Sequence, residues 1–312
     1  MQLKFSDEVA AALAEKRPVV ALESTIIAHG FPWPDNLEIG RGLENAVRDH
    51  GAVPATIAIL EGDVHVGLED ADLIRLAEGG RVIAKCSVRD LPVVIGRRGD
   101  GATTVAATAR IAHMAGIALF ATGGIGGVHR PALPGGVSHD VSADLYEMAR
   151  TPIAIVSAGA KSILDLPATV ELLETLGITV LGYGTDCFPA FFSRESDLPV
   201  MIRCDAVQEV AAMIAARDDL GLPGAVLICN PPPEEAAIPA HDAEIWLEQA
   251  LRQAREEGIG GAATTPFLLA RLRDLSQGRT IDVNKALALA NARLAAEVAK
   301  ALSSSGGLTD GG

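Results

Sequence analysis

The sequence predicts an α/β fold, in which a mostly parallel central sheet is layered by helices and followed by a helical C-terminal part. Short β-branched runs alternate with segments of helical periodicity. The chain also contains 32 glycines and 17 prolines, whereas only 4% of its residues are aromatic. Many glycines and prolines fit repeated strand-to-helix turns, and few aromatics argue against a sandwich rich in cross-strand aromatic pairs.

Eight strands are predicted from short runs rich in valine, isoleucine and alanine. In chain order they are PVVALEST, ATIAILEG, RVIAKCS, IALFATGG, IAIVSAG, ITVLGYG, VMIRC and GAVLICN. Strands this apolar are usually covered on both faces, as in a parallel sheet between helices. Ligands of such sheets bind at the carboxyl ends of the strands, so polar residues there are candidates for a functional site.

The segments between these strands have helical periodicity. Several end at a glycine, such as Gly51, Gly116 or Gly177, where a left-handed C-cap is expected. From about residue 240 the pattern becomes helical, and Asp282 is a candidate N-cap of the last helix. Between the strands, helices are predicted near residues 36–49, 69–78, 102–115, 142–150, 166–176 and 206–217.

We expect one α/β catalytic domain over residues 1–302 and a disordered tail over residues 303–312. The 312 residues, 49% of them hydrophobic, are enough to bury a substantial core. The tail, SSSGGLTDGG, has the composition of a disordered segment. The segment NPPPEEAAIPA, which follows the strand GAVLICN, predicts a long active-site loop rather than a linker.

Charge and cysteine usage limit the function classes. A formal charge of −14 disfavours a nucleic-acid surface, because binding a phosphate backbone needs a dense positive patch. The N-terminus has no apolar export signal, and the most apolar stretch, Val105 to Phe120, is interrupted by Arg110, His113 and Gly116. We therefore expect a cytoplasmic protein without nucleic-acid or membrane partners. Its cysteines lack CxxC spacing and are predicted to be reduced, mostly buried thiols: Cys86, Cys187, Cys204 and Cys229.

Three charged residues at predicted strand ends are candidates for chemistry. Glu23 follows the apolar run VVAL, and it is either a satisfied core carboxylate or a catalytic acid. Lys85 ends the run RVIAK, and Lys161 follows IAIVSAGA. Burial and a second nearby cation both disfavour the ammonium form, which is how a lysine becomes a neutral nucleophile able to form a Schiff base. The alternatives are that each lysine pairs with a carboxylate, or that Lys161 only lies at the N-terminus of a helix.

Two further segments could hold an anion or a metal. The glycine-rich segment ATGGIGGVHR contains Thr122 and His129, and its backbone can approach an anion closely, although it matches neither a dinucleotide fingerprint nor a P-loop. The segment SHDVSADLYEMAR places Asp140, Ser142 and Asp144 at the start of a helix, where amides suit a phosphate and carboxylates suit a hard divalent cation. The alternatives are a glycine-rich turn without a ligand and a residue that only caps the helix.

Many separate strings, in register along the chain, resemble the pseudouridine-5'-phosphate glycosidase family, also called the indigoidine-synthase-A-like family. The strings run in order from about residue 5 to 300: ALESTIIAHGFPWPDN, AKCSVRDLP, GATTVAAT, FATGGIGGVHR, DVSADL, SAGAKSILD, GYGTDCFPAFF, NPPP and DVNKALALAN. The resemblance implies a homotrimeric pseudouridylate synthase, a glycosidase of the carbon–oxygen lyase class with one Mn²⁺ per subunit. This enzyme reversibly converts pseudouridine 5'-phosphate and water into ribose 5-phosphate and uracil.

The resemblance also implies roles for individual residues. Glu23 corresponds to the proton donor, Lys161 to the covalent nucleophile and Asp140 to the protein ligand of the metal. Asn284 corresponds to an asparagine that handles the base, and the loop from Thr122 to His129 is expected to line the phosphate end. The implied substrate contacts are Lys85, Val105, Thr122, His129, Ser142, Ala143, Asp144 and Asn284.

The implied reaction breaks a carbon–carbon bond, so it cannot proceed by protonating a leaving nitrogen. In the expected mechanism, Glu23 gives a proton to the ribose ring oxygen and Lys161 forms an imine with the opened sugar. Common glycosidases instead flank an acetal with two carboxylates and need no lysine. Two alternatives stay open: a Schiff-base aldolase or lyase on another sugar phosphate, and a non-catalytic nucleotide-binding module. A sugar-kinase domain is not recognised, so a separate pseudouridine kinase is expected.

Overall fold

A computed structural model describes residues 2–130, 139–259 and 264–305 of the chain. Within these residues, eleven strands belong to a single sheet. They are β1 (Lys4–Phe5), β2 (Val19–Glu23), β3 (Val53–Leu60), β4 (Asp63–Val66), β5 (Ala84–Cys86), β6 (Gly101–Thr103), β7 (Leu119–Ala121), β8 (Ala154–Ser157), β9 (Thr179–Tyr183), β10 (Ile202–Cys204) and β11 (Val226–Cys229).

The sheet is mostly parallel, as predicted. Its order from edge to edge is β1-β4-β3-β2-β7-β8-β11-β9-β10, with β6 paired to β3 and β5 paired to β6. The antiparallel pairs are β3 with β4 and β3 with β6. Every residue of β3, β8 and β11 is buried, so both faces of these strands are covered.

Helices cover the sheet in groups. The last helix, α11, packs on α2 and α8 and also contacts β2, β7 and β8, while α5 packs on α6 and on β2 and β7. The helices are α1 (Asp7–Ala14), α2 (Asp35–Asp49), α3 (Asp70–Gly79), α4 (Leu91–Gly96), α5 (Val105–Met114), α6 (Ala143–Met148), α7 (Leu166–Thr175), α8 (Val207–Asp219), α9 (Ala240–Glu256), α10 (Thr264–Leu275) and α11 (Arg279–Ser305).

All eight predicted strands and all six helices predicted between them are present, with end points shifted by a few residues. The three glycines expected after helices have the left-handed backbone that a C-cap requires. Their φ angles are +82° at Gly51, +76° at Gly116 and +70° at Gly177. The α/β fold with a helical C-terminal part is thus confirmed.

Three boundaries differ from the prediction. The helix expected from residue 102 begins at Val105, because residues 101–103 form β6 against β3 and β5. Asp282 is not an N-cap, since α11 already begins at Arg279. That helix continues to Ser305, so residues 303–305 of the expected tail are helical, and residues 306–312 lie outside the described residues.

One large cluster of buried apolar side chains extends from Val9 in α1 to Ala299 in α11. The four cysteines are free thiols, and all but Cys187 are buried, as predicted. Among the described residues, no helix is long and apolar enough to cross a membrane.

Candidate active site

A cavity of about 580 Å³ collects most of the predicted site residues. Glu23 ends β2, Lys85 lies in β5, and Lys161 follows β8 by four residues, so the strand ends supply its charged groups. Nine of the eleven predicted residues line this one cavity, namely Glu23, Lys85, Val105, His129, Asp140, Ser142, Ala143, Asp144 and Lys161.

Lys85 lies among three other charged groups of the cavity. Partial burial lowers the pKa of Lys85 most, and the positive charge of Lys161 lowers it further. The carboxylates of Glu23 and Asp144 act in the opposite direction and only partly offset this shift. The two predicted lysines are therefore close enough to repel each other, and the ammonium group of Lys85 loses its proton more readily than that of a free lysine.

Glu23 is partly buried, and a neighbouring strand orients it. Strands β2 and β7 are parallel neighbours with Leu22 opposite Ala121, so Glu23 and Thr122 leave the sheet side by side. The Thr122 hydroxyl donates a short hydrogen bond to a carboxylate oxygen of Glu23. This hydrogen bond orients the Glu23 carboxylate at the carboxyl end of β2.

Asp144 holds the wall of the cavity together. One of its carboxylate oxygens accepts the Ala106 N–H at 2.9 Å, and the other accepts the Gly126 N–H at 2.8 Å. Ser142 caps α6 by accepting the Asp144 N–H at 3.2 Å. A Cβ atom at Gly126 would lie 2.2 Å from the Ser142 Oγ, so this position needs glycine. The glycine-rich segment and the starts of α5 and α6 therefore form one unit.

Two hydroxyl groups near this unit have no acceptor for their protons in the described structure. The Oγ1 of Thr104 is buried without a hydrogen-bond partner, whereas the buried Oγ of Ser87 accepts the Asp90 N–H in a capping box, and both residues line the cavity. Thr104 immediately precedes α5 without capping it. Buried polar groups are normally paired, so these two donors indicate a missing partner. Together with helix N-terminal amides and Lys85, they form a corner suited to an anion.

Asp140 presents the carboxylate predicted to bind a metal. It lines the cavity, and its backbone carbonyl accepts the His129 N–H at 2.9 Å. Across the described ranges, no group of three or more His, Cys, Asp or Glu residues is arranged to hold a metal ion. A carboxylate oxygen at this position suits a hard divalent cation that keeps water ligands.

Two predicted substrate contacts, Thr122 and Asn284, are not among the residues that line the cavity. Thr122 is only 5% exposed, and its hydroxyl faces Glu23. Asn284 lies on α11, on the other side of the glycine-rich segment, with its Oδ1 3.3 Å from where a Cβ of Gly123 would be. The structure does not bring these two residues into the cavity with the other nine.

The predicted active-site loop after β11 supplies no residue to this cavity in the part of the chain that the structure describes. Sequence reasoning also missed several wall residues. Ser87 directly follows β5 and Thr104 directly precedes α5, so a systematic reading of strand ends and helix starts would have included them. Thr265 comes from the distant helix α10, for which the sequence offers no signal.

The fold and the cavity together fit an α/β enzyme, with two amines and a carboxyl group in one candidate active site. A family model described as indigoidine synthase A like protein matches residues 8–301. The chain belongs to this family.

Relatives and solved structures agree with this assignment. The chain is 53% identical over 299 residues to a pseudouridine-5'-phosphate glycosidase of Solibacter usitatus, covering 96% of this chain and 99% of that protein. It is 52% identical over 302 residues to a pseudouridine-5'-phosphate glycosidase of Jannaschia sp., covering 97% of this chain and 99% of that protein. The crystal structure of the prealnumycin C-glycosynthase AlnA in complex with ribulose 5-phosphate superposes with a TM-score of 0.91 at 43% identity, covering 98% and 99%. An indigoidine synthase A-like protein of Thermotoga maritima gives a TM-score of 0.86 at 36% identity, covering 96% of each chain.

Proposed function

We propose that this chain is a pseudouridine-5'-phosphate glycosidase. It reversibly cleaves the carbon–carbon glycosidic bond of pseudouridine 5'-phosphate, giving uracil and ribose 5-phosphate, and so serves pseudouridine catabolism. The observation that carries the proposal is one cavity containing Glu23, Lys85 and Lys161. The full-length similarity to glycosidases of this name supports the substrate, and the similarity to a C-glycosynthase crystallised with ribulose 5-phosphate supports a five-carbon sugar phosphate.

The chemistry is simplest in the direction of synthesis. The amine of Lys161 condenses with the aldehyde of open-chain ribose 5-phosphate, which forms an imine and releases water. C5 of uracil then attacks the imine carbon, which makes the carbon–carbon bond, and loses its proton. Finally the sugar 4-hydroxyl replaces the lysine amine and closes the ring. In the direction of cleavage these steps reverse, and the ring oxygen must be protonated as the ring opens.

Glu23 is the group assigned to that proton. Its carboxyl is oriented by Thr122 and shares the cavity with Lys161. General acids of this kind contribute about 10²–10⁴-fold to a rate. Lys85 binds substrate beside the nucleophile, and its positive charge, when present, pairs with the phosphate.

We place the phosphate at the corner formed by Lys85, Ser87 and Thr104, at the start of α5. This modifies the expectation that the loop from Thr122 to His129 lines the phosphate end. Two hydroxyl protons without an acceptor in the described structure support the new placement, because phosphate oxygens accept such protons. Of the expected loop, His129 reaches the cavity, while Thr122 is committed to Glu23.

Asp140 would hold one hydrated Mn²⁺ per subunit. A single carboxylate completed by waters is a site that a hard divalent cation accepts, and the cavity wall provides such a carboxylate. When bound, the ion would lend positive charge and polarise substrate oxygens.

The proposal extends to the protein's setting. The family resemblance supports a homotrimer in the cytoplasm. The reaction itself does not install the phosphate of its substrate, so a separate pseudouridine kinase would supply pseudouridine 5'-phosphate. Size-exclusion chromatography with light scattering measures the assembly.

The direct test is a chromatographic assay with purified protein, Mn²⁺, uracil and ribose 5-phosphate. We expect pseudouridine 5'-phosphate to form and a chelator to stop its formation. Consumption of ribose 5-phosphate that does not depend on uracil would instead favour an aldolase or lyase. Binding of the sugar phosphate without turnover would favour a binding module.

Two experiments assign the chemistry. Borohydride reduction with ribose 5-phosphate should attach the sugar to the peptide that contains Lys161, and an unmodified peptide there would contradict the imine. Glu23→Ala should abolish turnover while thermal unfolding stays within a few degrees of wild type, because Glu23 is only partly buried. Near-normal turnover would reassign the acid.

A further inference from the structure

Asn291 is a fully buried amide in the middle of α11. Its Nδ2 donates to the Thr122 carbonyl at 2.8 Å and lies 3.4 Å from the Gly123 carbonyl. Its Oδ1 accepts from Asn230 Nδ2 at 3.0 Å. Asparagine is a poorer helix former than alanine, which stands on both sides of it, so the residue has a cost that its contacts offset.

The contacts fix the amide in one orientation. The Thr122 carbonyl can only accept, so the Nδ2 group of Asn291 must face it. The Oδ1 of Asn291 then faces Asn230 and accepts from its Nδ2. Asn230 itself is held at the end of β11, where its backbone N–H donates to the Ser157 carbonyl at 2.8 Å. The donor that meets Thr122 is therefore anchored to the sheet on one side and to α11 on the other.

Thr122 transmits this anchoring to Glu23. Its N–H donates to the Val156 carbonyl at 3.0 Å, and its carbonyl accepts from Asn291, so both sides of its backbone are held. From this held backbone, its hydroxyl donates to the Glu23 carboxylate. An unbroken chain of hydrogen bonds runs from Asn230 through Asn291 and Thr122 to Glu23.

We propose that Asn291 is a positioning residue for the reaction, which acts through Thr122 to hold the Glu23 carboxyl in its productive direction. It does not line the cavity, so its effect reaches the substrate through the residues that it contacts, with Thr122 leading to Glu23. The inference rests on the proposed function for the role of Glu23 as the acid. The hydrogen-bond chain itself stands without that role.

The test variant is Asn291→Leu, which keeps the approximate size of the side chain and removes its hydrogen bonds to Thr122, Gly123 and Asn230. Because a displacement of about 1 Å in a catalytic group costs up to about 10²-fold in rate, we expect kcat to fall by about 10- to 100-fold. The KM values for ribose 5-phosphate and uracil should stay within about twofold, since no cavity wall is changed.

Thr280→Val is the matched control. Thr280 is also buried on α11, and its hydroxyl pairs with that of Ser276 at 3.1 Å, away from Glu23. This variant loses a buried hydrogen bond in the same helix, so it reports the effect of a general loss of stability. We expect a lower melting temperature and unchanged kcat.

A double variant tests the route. If Asn291 acts through Thr122, then Thr122→Val should lower kcat by itself, and adding Asn291→Leu should lower it no further. Multiplicative losses would overturn the inference, as would a kcat for Asn291→Leu within twofold of wild type. Should Asn291→Leu fail to fold, Asn230→Ala loosens the same amide from a partly buried position and is expected to lower kcat with KM unchanged.

A crystal structure of Asn291→Leu, or of Asn230→Ala, separates this inference from the proposed function. Loss of the contact between the Thr122 hydroxyl and Glu23 supports it, and an unmoved carboxylate overturns it, whether or not the wild-type chain shows glycosidase activity. Absence of that activity in the wild-type chain would overturn only the proposed function.

Discussion

Lys85 shows how single residues set the chemistry of this cavity. Its pKa reflects opposing influences: burial and Lys161 lower it, whereas Glu23 and Asp144 raise it. Each of these neighbours comes from a different part of the chain. A substitution at one of them therefore changes the charge state of a lysine far away in sequence.

The pKa of Lys85 is expected to shift in opposite directions when its positive and its negative neighbour are removed. Lys161→Met removes a positive charge and should raise the pKa of Lys85, while Glu23→Gln removes a negative charge and should lower it. Titration of the Lys85 ¹³Cε resonance in lysine-labelled protein measures both shifts. Lys4→Met is the control, because Lys4 pairs with Asp63 near β1. Shifts of the same sign in both variants would contradict the described cavity.

Thr104 tests where the phosphate binds. Thr104→Val keeps the shape of the side chain and removes a hydroxyl that has no protein partner, so the fold should lose little stability. Loss of one hydrogen bond to a charged group is worth about 1.5–3 kcal/mol, so we expect KM for ribose 5-phosphate to rise by at least tenfold. KM for uracil should stay constant. A steady-state assay measures both, and equal changes would move the phosphate elsewhere.

Among the elements, the short helix α6 and the glycine-rich segment depend on each other. Ser142 and Asp144 at the start of α6 occupy the space in which a side chain at Gly126 would stand. Because Asp144 also binds the first turn of α5, a change at this glycine affects two helix starts and the cavity between them.

Gly126→Ala should therefore destabilise the protein and disturb the cavity. Forcing a methyl group into a filled space costs about 1–3 kcal/mol of unfolding free energy. Gly96→Ala is the control, since it ends α4 with nothing within 4 Å of the added methyl. Denaturant unfolding and the KM for ribose 5-phosphate measure the effects. A Gly126→Ala protein with the stability and KM of wild type would show that the segment relaxes freely.

The elements that could be predicted from the sequence are those with a long apolar or amphipathic pattern. Strand β3, with eight consecutive buried residues, is an example. Strand β6 has only three residues, and its place in the sheet depends on β3 and β5, so its sequence reads as the start of α5. Lys161 and Glu23 can be predicted as site residues because the ends of parallel strands meet at one edge of the sheet. The hydrogen bond from the Thr122 hydroxyl to Glu23 cannot be predicted, because it depends on the pairing of β2 with β7.

At the scale of the whole molecule, apolar packing holds the chain together without covalent cross-links between its cysteines. The core cluster joins α1, the strands and α11, and the cysteines contribute as apolar side chains. Burial raises the pKa of Cys86 to about 11 and also raises the pKa of Cys229. At neutral pH these thiols are therefore both protonated and hidden.

Alkylation of the native protein should distinguish the four cysteines. At neutral pH, iodoacetamide is expected to modify Cys187, which is partly buried, while Cys86, Cys204 and Cys229 stay unmodified. After unfolding in guanidinium, all four should react. Mass spectrometry of the peptides measures this pattern, and rapid modification of Cys229 in the folded protein would contradict the packing described for β11.

Helix α11 follows every strand of the described sheet in the chain, yet it contacts β2, β7 and β8, the strands that lead to Glu23, Thr122 and Lys161. Ribosomes make the chain from the N-terminus onward, so these strands emerge before the helix that covers them exists. A nascent chain that already contains Glu23 and Lys161 therefore lacks this cover until translation has passed α11. The sheet that carries these side chains is packed on this face only once synthesis of the helix is complete.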